Sequence, residues 1–247
     1  MRVAIVGGTH PRHLFFQNSI KSVGRLLVKR ETMLPQAPDY ITEHDRDLWD
    51  RHFDNRSKCE LEYFGNGSPN GRITDDLNSK ESRDYIEGLK PDLVLVFGCG
   101  MLNWYLDVPM INLHLGLSPR YRGSATLFWP FYFLEPNNAG CTFHQIVDEP
   151  DAGKILHQSK PELKNGDTIH DVACRAVLAA RDDMELLLDR FPDWEYHEQR
   201  NTGKCFLSKD FQPHHLRSIY DTWNDDIVGA YLRQDIRPRE QWIHKGL

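Results

Sequence analysis

The chain opens on an unbroken apolar run, Val3-Ala4-Ile5-Val6, closed by Gly7-Gly8-Thr9. Residues 2–7 therefore predict a short buried strand. A helix is expected from about Pro11 to Val23, with Leu14, Phe15, Ile20 and Val23 as its buried face. Leu26-Leu27-Val28 reads as a second strand. Strand, loop, helix and strand in that order begin a parallel sheet. Residues 31–80 are the least legible, punctuated by Pro35, Pro38, Gly65, Gly67, Pro69 and Gly71. Within them, Asp45 to Tyr63 mixes Leu48, Trp49, Phe53 and Leu61 with charges, which predicts one or two amphipathic helices. Residues 80–89 predict a helix. Pro91 to Gly98 predicts a strand whose continuous apolar run implies burial on both faces. A further strand ends the stretch Asp107 to His114.

Beyond it, Ser124 to Leu134 reads as helical, and Cys141–Val147 and Lys154–Gln158 as strands. Asp167 or Thr168 caps a long helix carrying Ile169, Val172, Ala173, Ala176, Val177, Ala180, Met184 and Leu187 at steps of mostly three and four. From Asp193 the pattern weakens into short strands and a helix near Trp223 to Leu232. The fold class expected is α/β: a mostly parallel twisted sheet flanked by helices. Residues 1–192 form the main domain and 193–247 a small C-terminal extension.

A length of 247 residues suits one such domain with a modest appendage. No run of about 18 apolar residues occurs, so no membrane span or membrane partner is expected. The N-terminus reads as a strand, not a signal peptide. Five scattered cysteines without metal-ligand spacing read as reduced thiols, and the expected location is cytoplasmic. Net charge is −6, without a dense basic stripe, so no nucleic-acid partner is expected.

The chemistry concentrates in Ile111-Asn112-Leu113-His114-Leu115-Gly116-Leu117-Ser118-Pro119-Arg120-Tyr121-Arg122-Gly123. On a strand, Asn112 and His114 share one face. A strand running into a Gly/Pro loop presents that face where open α/β sheets place their ligands. An amide there can stabilise a developing oxyanion, and an imidazole can shuttle a proton. Taken singly, the pair reads more readily as a turn-forming amide and a satisfied core histidine. A carboxylate to hold the imidazole must come from the turn Asp148-Glu149-Pro150-Asp151-Ala152-Gly153, where three acids compete. Gly7 to His13 opens a helix, which fits either phosphate binding or a plain tight turn. It lacks the dinucleotide glycine spacing. The aromatic run Phe128 to Phe133 reads as core helix. His144 reads either as support for the site or as an inward strand residue.

Four linked elements stand in order: Asn112-Leu113-His114, Ser118-Pro119-Arg120-Tyr121-Arg122-Gly123, Gly140-Cys141-Thr142-Phe143-His144 and Asp151-Ala152-Gly153. Over roughly residues 88–160 the chain resembles the folate-dependent formyltransferases. These include glycinamide ribonucleotide transformylase, methionyl-tRNA formyltransferase and the N-formyltransferases of nucleotide-linked amino sugars. The resemblance departs at Gly116, where the family usually has serine, and at Leu117-Ser118-Pro119 for Leu-Leu-Pro. It implies a Rossmann-like fold, with residues 1–192 as the catalytic domain and Asn112, His114 and Asp151 as catalytic residues. It implies 10-formyltetrahydrofolate as co-substrate and no metal, with the folate against Gly98, Gly100, Met101, Leu102, Asp148 and Asp151. Acceptor contacts would come from Gly8, Thr9, His10, Arg12 and His13, and from Arg120, Tyr121 and Arg122. Length and acidity favour a nucleotide-linked amino sugar, such as GDP-perosamine or a dTDP-amino sugar, over methionyl-tRNA or glycinamide ribonucleotide. The resemblance leaves room for a homodimer. A non-catalytic folate- or nucleotide-binding module is the alternative of another class.

Overall fold

The computed structural model describes residues 1–28, 38–200, 203–238 and 243–246. Pro35, named among the punctuating residues, lies outside them. The first half contains β1 (Val3–Gly8), α1 (Pro11–Ser19), β2 (Gly24–Val28), α2 (Glu43–Phe64), β3 (Arg72–Thr74), α3 (Lys80–Gly88), β4 (Leu93–Phe97) and β5 (Met110–His114). Then follow β6 (Tyr121–Gly123), α4 (Trp129–Tyr132), β7 (Cys141–Gln145), β8 (Ile155–Ser159), α5 (Ile169–Asp189), β9 (Lys204–Phe206) and α6 (Ile227–Leu232).

Seven strands form one sheet in the order β3-β2-β1-β4-β5-β7-β8. The first five in that order are parallel; β7 is antiparallel to β5 and β8 antiparallel to β7, so β7 alone runs against the others. This is the α/β, Rossmann-like architecture expected. One face of the sheet carries Ile5, Leu95, Ile111, Leu113 and Phe143 against α1 and α5, where Phe16, Ala176, Val177 and Met184 complete the core. The other carries Val6, Val94, Val96 and Met110, with Ile86 of α3 beneath them. Strands apolar on both faces follow from that double cover.

A second core joins Leu48, Trp49 and Phe53 of α2 to Phe128, Trp129, Ile169 and Val172. Residues from beyond the long helix complete it: Phe206, Leu216, Ile219, Tyr220 and Val228. β9 pairs with β6 in a separate two-stranded sheet. Among the described residues no helix is long and apolar enough to cross a membrane.

The structure corrects several boundaries. α1 stops at Ser19, and Val23 is exposed, its N–H spent on Val3 O. Phe16, not Phe15, fills the core, while Phe15 packs on Phe64. The run from Ser124 to Leu134 is helical only at α4, because Ala125 and Leu134 take left-handed φ values of 55° and 56°. The amphipathic stretch after residue 42 is a single helix, α2. Thr42 caps it by accepting Asp45 N–H at 3.1 Å. Thr168, the second of the two cap residues anticipated, starts α5 in a reciprocal capping box with Asp171.

Candidate active site

β5 lies between parallel β4 and antiparallel β7, with Asn112 opposite His144 and His114 opposite Thr142. Ile111 and Leu113 point into the core under α1 and α5. The alternation therefore turns Asn112, His114, Thr142 and His144 to the other face. There the carboxyl ends of β1, β4 and β5 open onto a cleft of about 910 Å³. That is the crevice position expected of an open parallel sheet.

Asp151 is the hub. Its Oδ2 lies 3.2 Å from His114 Nδ1 and accepts Gly123 N–H at 2.9 Å. Its Oδ1 lies 3.3 Å from His144 Nε2 and 3.4 Å from Asn112 Nδ2. The turn that delivers it is demanding: Asp151 has a φ of 52°. A Cβ on Gly153 would fall 1.8 Å from Gln145 O, so only glycine lets the chain pass β7. Gln199 pins the turn by donating to Asp151 O at 2.8 Å and Gly153 O at 2.6 Å. Of the three rival acids, Asp148 instead accepts Tyr105 O–H at 2.6 Å and Glu149 pairs with Arg122 at 3.0 Å.

The partners fix both imidazoles. His114 Nε2 donates to Tyr121 O at 2.8 Å, leaving Nδ1 toward Asp151. His144 Nδ1 donates to Gln145 O at 2.7 Å, so its Nε2 accepts from Asn112 Nδ2 at 3.1 Å. The amide of Asn112 is thus oriented with its nitrogen toward the cleft. Thr142 supports the loop beyond β5, donating to Gly116 O at 2.6 Å and accepting Ser118 N–H at 3.0 Å.

Burial pushes the Asp151 carboxyl up, but the charge of His114, the closeness of His144 and the Gly123 N–H outweigh it. The group is held well below the usual carboxylate range. Burial pulls His114 below the usual histidine value, with the Asp151 charge opposing. His114 is therefore a poised base beside a permanent anion.

The cleft brings together Asn112, His114 and Asp151 with Gly98, Gly100, Met101 and Leu102 and with His10, Arg12 and His13, the His13 ring lying against Gly98. Gly8, Thr9 and Asp148 lie outside its lining, as do Arg120, Tyr121 and Arg122. Arg120 is paired with Glu135, Tyr121 is buried with its hydroxyl on Glu135, and Arg122 is buried beside Glu149. Only the Tyr121 carbonyl reaches the centre. Sequence reasoning missed the wall formed by α2, which adds Trp49, His52, Phe53, Arg56 and Glu60. Their three- and four-residue spacing was the available signal, obscured because the stripe is half aromatic and half charged. Phe206 and Phe211, from beyond the long helix, close the cleft further.

A family model described as formyl transferase matches residues 68–183. Over 91 residues, 35% of this chain and 29% of the relative, the sequence is 34% identical to a methionyl-tRNA formyltransferase of Acidobacterium capsulatum. The match spans less than half the length of the curated relatives (29%, 33% and 46% of three of them). A solved sugar N-formyltransferase from a Shewanella species is 20% identical with a TM-score of 0.57, over 85% of this chain and 78% of that one. An N-formyltransferase from Helicobacter canadensis, solved with folinic acid and dTDP-3-aminofucose, is 14% identical with a TM-score of 0.53. It covers 89% of this chain and 80% of its own. These two share the fold. The matched segment contains Asn112, His114, His144 and Asp151 together, and over it the chain is similar to the formyl transferase family.

Proposed function

We propose that this chain transfers a formyl group from 10-formyltetrahydrofolate to the amine of a nucleotide-linked amino sugar. The acceptor is an NDP-4-amino-dideoxy sugar such as GDP-perosamine, or a dTDP-amino sugar, for bacterial surface polysaccharide (O-antigen). The observation that carries this is the convergence of an amide, an imidazole and a carboxylate within 3.4 Å contacts at the floor of one cleft. The Helicobacter canadensis enzyme, solved with a folate and a dTDP-sugar, supports the choice of both substrates.

Gly98, Gly100, Met101 and Leu102 line the cleft together with Ile146, Val147 and Pro150, a mainly apolar stretch of wall that suits a flat pterin. When bound, the folate supplies the formyl carbon and the leaving nitrogen. Asn112 Nδ2 has two hydrogens. One goes to His144 Nε2 at 3.1 Å. The other has only the long 3.4 Å contact to Asp151 Oδ1 and can turn to the oxyanion developing on the formyl oxygen. A preformed donor of this kind is worth about 3 kcal/mol of barrier. Because His114 Nε2 is committed to Tyr121 O, proton exchange with the attacking amine runs through Nδ1 and the Asp151 side of the ring. Residues 1–192 act as the catalytic domain and 193–247 as an extension, of which Phe206, Leu216, Ile219 and Tyr220 pack on it.

Labelled formyl-folate offered with nucleotide amino sugars, glycinamide ribonucleotide, methionyl-tRNA and water tests the acceptor. Methionyl-tRNA is the second reading, favoured by the curated relatives, which are methionyl-tRNA formyltransferases. Asn112→Ala and His114→Ala are each expected to lower kcat by about 100-fold or more with the fold intact. Full activity in either folded variant overturns the reading.

A further inference from the structure

Resting on that reading, we propose that Arg12 and Arg56 form the seat for a phosphoryl group of the acceptor, with Glu60 holding the two guanidinium groups in place. Arg12 opens α1, and Arg56 and Glu60 lie four apart on α2, so the seat is built where two elements meet. Glu60 is buried, and its Oε1 meets Arg12 Nη1 at 3.1 Å and Arg56 Nε at 3.7 Å. Two forks thus surround a single carboxylate oxygen. The side chains of Arg12 and Arg56 remain 23% and 25% exposed. Among the described residues no hydrogen bond engages Arg12 Nη2 or either Nη of Arg56. Those donors are left for a ligand.

Charge counting points the same way. The charged side chains lining the cleft are Arg12, Arg56, Glu60 and Asp151. Asp151 is occupied at the catalytic floor, so the α2 wall carries two cations against one anion. His52 and His170 add no charge there, since burial lowers both well below neutral pH. Arg56 is preset: its guanidinium lies 4.7 Å over the Phe53 ring. Burial and the neighbouring Arg12 lower its pKa to about 10, so it stays charged at neutral pH and gains from a second anion. Two forks on different elements suit a tetrahedral anion, which presents separate oxygens to each. A planar carboxylate is satisfied by one fork.

The test is calorimetric titration with inorganic pyrophosphate and, separately, with thymidine and 5-formyltetrahydrofolate. Wild type is expected to bind pyrophosphate and to ignore thymidine. Arg56→Gln and Arg12→Gln are each expected to weaken pyrophosphate at least tenfold and leave folate affinity within twofold, which also reports that the variants are folded. Arg56→Lys is expected to recover part of the loss through its retained charge. In the acceptor assay, Arg56→Gln should raise KM with kcat little changed. No pyrophosphate binding by wild type, or equal binding by folded Arg56→Gln, overturns the proposal. Loss of folate binding in wild type overturns the formyl-transfer reading instead and leaves the pyrophosphate result to judge the seat.

Discussion

Gly116 stands two residues beyond His114, where the resembled pattern has serine. A Cβ there would sit 2.6 Å from His114 Nε2 and 2.7 Å from Tyr121 O. Its bareness is what lets the carbonyl cap the imidazole. Gly116→Ala is expected to displace the ring and lower kcat by about 10- to 100-fold, since small misplacements of a reacting group are costly. The pH signature has a definite sign. Burial lowers the His114 pKa, while Asp151 and the Tyr121 carbonyl raise it, so breaking the Tyr121 bond lowers it further. The acid limb of kcat/KM should lie below the ordinary histidine value in the wild type. NMR titration of His114 should move still lower in Gly116→Ala, and an unmoved midpoint would refute the role. At this scale the sequence was most informative where spacing alone sets direction, as for Asn112 and His114 on a strand. It could not rank Asp148, Glu149 and Asp151. The winner depends on a left-handed turn admitted by Gly153 and pinned by Gln199, a residue far along the chain.

Helices and strands with one long periodic face were readable, and α5 and β4 fall where the pattern put them. α2 was readable as a helix and opaque as a wall of the site, because its inward stripe carries Arg56 and Glu60 as well as Trp49 and Phe53. The three-residue strands β3 and β6 escaped notice because a run so short has no period. One junction between elements yields a stability prediction. Asp225, before α6, accepts Ile169 N–H at the start of α5 at 3.2 Å. Burial raises its pKa from 3.8 to about 6. The folded state therefore prefers the protonated acid. The resulting penalty is absent below about pH 4, grows between about pH 4 and 6, and is constant above that. Asp225→Asn keeps an acceptor and tolerates the φ of 57°. It should stabilise the protein at pH 8 by about 1–2 kcal/mol. Thermal melts at pH 8 and pH 4 check this: the gain must shrink in acid.

The segment matched by the family model starts at residue 68, yet β1 and β2 precede it and β4 pairs directly with β1. Val3, Ile5, Phe16 and Ile20 belong to the main core, and Met184 and Leu187 lie past residue 183. Expressed alone, residues 68–183 are expected to lack a cooperative thermal transition and to aggregate, with exposed strand edges and half a core. A sharp two-state melt of that fragment would contradict this dependence. The weak pattern after Asp193 concealed how far the tail reaches inward: Phe206 and Tyr220 pack with Trp49 and Phe128. Contacts between segments so remote leave no local periodicity to read.

The pairing of Asn112 with His144 makes strand alignment and chemistry one constraint. Side chains alternate, so sliding β7 by a single residue along β5 would bring Phe143 beside the amide and send the imidazole under α1 and α5. Extra length arriving between Pro136 and Gly140 is harmless only if it bulges out before the ladder begins. Any residue absorbed within the ladder would trade a polar ring for a phenyl group at the spot where the amide must be aimed.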